Sequence, residues 1–97
     1  MAEYILLMHD DGGEERAADW EAYLDGLAGA GRLRGGSAMG EGACYRKVGA
    51  PGPVSGHVTG FVRIVAESLE DAARCLAGNP VYEAGGTVEI RLLPEDV

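Results

Sequence analysis

Apolar and polar positions alternate in a way that divides the chain into strands and helices. "YILLMH" is apolar at consecutive positions, the pattern of a strand covered on both faces. It closes at "DDGG", where Asp10 or Asp11 can cap and the glycines turn the chain without steric cost. From about Glu14 to Ala30, Trp20, Leu24 and Leu27 recur at helical spacing with Tyr23 on the flank, and Glu14 and Glu15 suit the positive end of the dipole. Gly31 ends this helix. "RLRGGSAMGEGACYRKVG" is too rich in glycine for a regular central strand. Leu33 and the alternating Cys44-Tyr45-Arg46-Lys47 are nonetheless strand-like, so a bent or bulged second strand is expected. "GAPGPVSG" then has the composition of a hairpin connection.

"HVTGFVRIVA" alternates, with Val58, Gly60, Val62 and Ile64 on one side and His57, Thr59, Phe61, Arg63 and Val65 on the other, which predicts a third strand. Ser68 precedes Leu69, Ala72, Ala73 and Leu76 at helical spacing, and Asp71 sits where a capping box places its acidic partner. The second helix should end near Gly78, before Asn79-Pro80. After a turn through "VYEAGG", Val88, Ile90 and Leu92 alternate with Thr87, Glu89, Arg91 and Leu93 until Pro94 stops a fourth strand.

The order β-α-β-β-α-β predicts an α+β ferredoxin-like sandwich, with both helices on one face of an antiparallel sheet and the first strand in its middle. The other face has no helix of its own, yet it would receive Ile5 and Leu7, and Phe61, Val65 and Leu93 interleaved with Arg63, Glu89 and Arg91. A second copy laid sheet to sheet under two-fold symmetry would cover it, so a homodimer, a dimeric α/β barrel, is expected.

The totals sharpen this picture. A chain of 97 residues reads as one domain spanning 1–97, and at that size only roughly 60 to 70% of the unfolded surface is buried, so self-association would help. A formal charge of -8 argues against nucleic acid or an anionic membrane as partner, since both demand a cationic face. The apolar run from Tyr4 to Met8 is too short for a signal core or a membrane span and lacks a basic flank, which points to a cytoplasmic chain. Cys44 and Cys75 have neither the spacing of a redox motif nor a histidine pair nearby. No metal and no cofactor is expected.

The topology predicts proximity. The end of the first strand, the start of the third and the start of the first helix should share one edge, gathering His9, Asp10, Trp20, Tyr23 and His57 there around a small pocket. His9 beside Asp10 has the composition of an acid/base unit, a carboxylate fixing the tautomer of an imidazole and raising its basicity. Adjacent strand residues face opposite ways, so the two cooperate only if the chain has turned at Asp10. Simpler roles stand beside these: a strand-end His9 bonded to water, Asp10 as a cap, Trp20 as a core residue and His57 facing solvent. Ser37 and Glu41 are candidates for the pocket rim.

"YILLMHD", the helix running into "GRLRGGSAMGEG", "TGFVRIVAESLEDAARCLAGNP" and "EAGGTVEIRLLPED", in that order and spacing, resemble the YciI-like (YCII-related, DGPF-domain) family of small bacterial proteins over nearly the whole chain. The resemblance implies a dimeric α+β barrel of ferredoxin-like subunits. The "DGPF" segment of one branch is replaced here by "APGPVSGHVTGF". Enzyme-like members carry a histidine early in the first helix where this chain has Trp20, whereas Asp10 matches the aspartate that ends the family's first strand.

Two functions follow as expectations. One is a small-molecule protein that binds an apolar or aromatic ligand or performs cofactor-free proton transfer, with His9 as proton carrier, Asp10 as its orienter, Trp20 and Tyr23 as apolar wall and His57 as auxiliary donor. The other is a non-catalytic interaction or regulatory module acting through its dimer surface.

Overall fold

Along the chain run β1 (Ala2–His9), α1 (Ala17–Gly29), β2 (Leu33–Ala38), β3 (Val58–Ala66), α2 (Leu69–Arg74), α3 (Pro80–Glu83) and β4 (Val88–Leu93), in a computed structural model that describes residues 1–95. The strands form one antiparallel sheet in the order β2-β3-β1-β4, so the doubly apolar β1 is central, as its pattern requires. This is the ferredoxin-like α+β arrangement.

The period-2 alternation of β1 sends Tyr4, Leu6 and Met8 toward the helices, where Val62, Ile64 and Ala66 of β3 join them. Tyr23 and Leu27 of α1, Ala72 of α2 and Val81 of α3 close that core from above. On the other face Ile5, Leu7, Phe61 and Val65 are half-buried, flanked by Glu3, Arg63 and Arg91 in register.

α1 ends as the glycine predicts. Gly31 adopts φ 73, its N–H donates to Ala28 O, and the Arg32 N–H donates to Leu27 O, a Schellman closure that a side chain at position 31 would strain. The turn delivers Arg32 to the start of α2, where its guanidinium grips both oxygens of Asp71 at 3.0 and 3.1 Å. Asp71 also accepts the Glu67 N–H, while its own N–H is capped by Ser68 Oγ. The acidic partner of the expected capping box therefore reaches one residue further back and anchors an ion pair between distant segments. Arg32 and the Glu67 N–H hold its carboxyl down at about 2.

Three expectations need correction. Cys44–Lys47 is not strand: β2 stops at Ala38, its last ladder bond running from the Met39 N–H to Thr59 O, and residues 39–57 form an exposed arm without regular structure. β3 starts only at Val58, so nothing remains for those residues to pair with. The second helix is shorter than its apolar spacing suggests, breaking into turns after Arg74. Asn79-Pro80 begins another helix rather than marking only an end. The fully buried Asn79 accepts the Val81 and Tyr82 N–H groups, and Pro80 occupies the first helical position, where its missing N–H is not needed.

Candidate functional site

A cavity of about 480 Å³ lies between α1 and the edge formed by β2 and β3. Trp20 and Leu24 are one helical turn apart and so share the face of α1 that overhangs it. Leu33 and Ala38 of β2, Gly60 and Val62 of β3, Met8 at the end of β1 and Val81 of α3 supply the rest of the apolar wall. Glycine keeps the floor flat: a Cβ on Gly36 would stand 2.6 Å from Phe61 O, so β2 and β3 approach there only because it has none. The indole of Trp20 is fixed twice, by an edge contact with Tyr23 (ring centroids 5.9 Å apart) and by its N–H, which donates to Glu15 Oε1 at 2.8 Å. Polar residues along the cavity are few: Glu15, Ser37 and Thr59. Ser37 is in register with Phe61, so its side chain turns to the open face, where its Oγ donates to Ala38 O.

A second cluster lies across the sheet. His9 closes β1 after a register shift between Met8 and His9, and its Nε2 is 3.0 Å from Glu89 Oε1 of β4. The His57 ring stands edge-on to His9 at a centroid distance of 5.1 Å. Arg91 touches the other oxygen of Glu89 at 3.3 Å, and hydrogen bonds from His9 first and Arg91 second lower the Glu89 carboxyl below its ordinary value.

The five residues expected to gather at one end thus divide into two groups. His9 and His57 meet, and Trp20 and Tyr23 meet, but the sheet lies between the pairs, and neither histidine lines the Trp20 cavity. Parity is the reason: Met8 points to the helices, so His9 points away. Asp10 is exposed, its N–H donating to His57 O, and the carboxylate that holds His9 is Glu89 instead. The capping role falls to Asp11, whose oxygens accept the Thr87 N–H and hydroxyl at 2.7 and 2.6 Å. Tyr23 donates its hydroxyl to Cys75 O at 2.6 Å and lines a different concavity, about 760 Å³, between α1 and the α2–α3 segment. Burial pushes the Tyr23 phenol up. Ser37 is at the cavity, whereas Glu41 lies on the exposed arm.

Glu15 and Glu89 were not singled out by sequence. Glu89 carried a signal, since it lies on the alternation face of β4 that a central β1 would present to His9. Glu15 carried none beyond its place just ahead of α1, because its bond to Trp20 depends on how the non-helical entry folds back. Among the described residues no group of three or more His, Cys, Asp or Glu side chains is arranged to hold a metal ion, and no helix is long and apolar enough to cross a membrane.

The chain matches no protein-family model and no curated protein sequence. Among solved structures it is similar to 5-chloro-2-hydroxyhydroquinone dehydrochlorinase (TftG) from Burkholderia phenoliruptrix AC1100, solved in complex with 2,5-dihydroxybenzoquinone, with a TM-score of 0.55 and 15% identity over 95% of this chain and 93% of that one. At that identity the likeness establishes a shared fold, and that fold carries an enzyme in TftG.

Proposed function

We propose that this chain is a YciI-like small-molecule protein, homodimeric and cytoplasmic, whose ligand site is the cavity beneath α1. The observation that carries this is the cavity itself: about 480 Å³, walled by Trp20, Leu24, Met8, Val62 and Val81, with few polar groups. That size and composition suit a compact apolar or aromatic ligand. TftG, alike in fold, was solved with a flat quinone bound, which supports a ring-shaped occupant here. An indole stands where the family resemblance would put a histidine, which favours binding by ring contact over proton transfer at that point.

Trp20 is the sole tryptophan, so its fluorescence reports directly on occupancy. Titration with small aromatic compounds should quench or shift that emission saturably and raise the melting temperature. Trp20→Ala should abolish the thermal shift. A full panel without effect on either signal would remove the proposal. The arrangement suited to acid/base chemistry is His9 with Glu89 as its orienter and His57 beside it; Asp10 is the weaker candidate for that orienting role.

The open sheet face favours a second reading, an interaction module. Ile5, Leu7, Phe61 and Val65 carry no helix over them, and charges of both signs are interleaved there, Arg63 pairing with Glu3 at 3.1 Å. Such a face suits a self-complementary two-fold contact. Sedimentation should give a dimer at micromolar concentration that Phe61→Glu converts to a monomer. A wild-type monomer would remove the dimer and its two-fold contact together.

A further inference from the structure

Resting on the cavity reading above, we infer that the ligand is a neutral or cationic aromatic compound bearing a hydrogen-bond donor, of the phenol or arylalkylamine class, and that Glu15 anchors it. The inventory of charge at the cavity carries this. Glu15 is the one ionisable side chain among the lining residues, and no arginine, lysine or histidine reaches the cavity among the described residues. Cations adjacent in sequence to the lining make their contacts elsewhere: Arg63 pairs with Glu3 and donates to Arg34 O, Arg34 donates to Gly31 O and Leu33 O, Arg32 to Asp71, and Arg16 faces Asp19 at 4.0 Å.

A carboxylate- or phosphate-bearing ligand would therefore bring an anion against a carboxylate and an apolar wall, losing its hydration with no cation to replace it. A donor meets the opposite situation. The Glu15 carboxylate accepts one bond, from the Trp20 indole, at Oε1, while its Oε2 makes no bond among the described residues. A carboxylate has about four acceptor sites, so spare capacity lies beside the indole. A phenolic O–H or an ammonium N–H reaching it would form a charge-assisted hydrogen bond.

Four single-ring probes of nearly equal shape separate the possibilities: phenol, benzylamine, toluene and benzoate, measured by ligand-observed NMR and by competition at Trp20. Phenol and benzylamine should bind about tenfold or more tighter than benzoate, the size expected of one charge-assisted hydrogen bond gained against one repulsion. Glu15→Gln keeps a carbonyl acceptor for the Trp20 indole and removes the charge. It should erase most of the benzylamine preference while leaving toluene unchanged, with the Trp20 emission maximum showing that the indole has not moved. Benzoate binding as tightly as benzylamine, or a preference that survives in Glu15→Gln, overturns the inference while leaving the cavity a ligand site. Failure of all four probes to bind overturns the cavity reading and the inference with it.

Discussion

Leu6 and Leu7 are neighbours in sequence and opposites in surroundings. Leu6 is 0% exposed, between Val62 and Ile90 beneath the helices, whereas Leu7 lies between Phe61 and Glu89 on the face that no helix covers. One face of the sheet is a finished core, and the other is a half-buried surface where apolar groups share space with ion pairs and two histidines. The buried packing of the single chain therefore lies on one side of β1, and the half-buried apolar groups and the His9–His57 contact on the other.

The largest expected contrast comes from truncating the two leucines. Leu6→Ala should cost about 2–5 kcal/mol through lost transfer energy and an unfilled cavity. Leu7→Ala should cost under about 1 kcal/mol in dilute protein, rising with concentration if the open faces pair. Urea unfolding at two protein concentrations measures both, and equal losses would break the comparison.

Next in size is the ion pair that ties the helical layer together. Asp71→Asn should lower the melting temperature clearly, because Arg32 and Arg74 lose their shared partner and the Glu67 N–H its charged acceptor. Folding depresses the Asp71 carboxyl from an ordinary 3.8 to about 2, so its contribution is complete above about pH 4 and is lost as pH falls toward 2. Thermal melts should show that acid-side loss in the wild type and a flatter curve in Asp71→Asn.

On the open face, Glu89→Gln should change stability less than Asp71→Asn, since the contact of Glu89 with His9 is partly solvated and that with Arg91 is exposed. The Glu89 carboxyl is lowered from 4.5, so the small stabilisation it gives is present above that pH and fades below it. NMR titration of His9 in wild type and Glu89→Gln reads the contact directly. Smallest of all, Tyr45→Ser on the arm should shift unfolding by less than about 0.5 kcal/mol, because Tyr45 is 89% exposed.

Much of the architecture is legible because strand and helix periods differ and β1, α1, β3 and β4 each keep one period. The alternation of Val58 to Ala66, the Ser68 cap and Gly31 each dictated a local outcome that tertiary packing left alone. The arm is not legible in the sequence because Cys44–Lys47 has strand chemistry but no free ladder beside it, a fact that only the length of β3 decides. The sequence marks Asp71 only as a local cap, because its partner Arg32 lies 39 positions away, beyond any periodicity. At the site, sequence brought His9 to His57 through topology and then joined them to Trp20, although a single step of parity at Met8 sends the imidazole and the indole to opposite sides of the sheet.

The arm has one further consequence. Residues 39–57 stand apart from the core, while the β1–β3 ladder and the Arg32–Asp71 bridge both join what comes before them to what comes after. A chain cleaved near Gly49 should therefore stay associated as two fragments. The same place should accept a grafted domain or new termini, making the least structured stretch of the molecule its most permissive point for engineering.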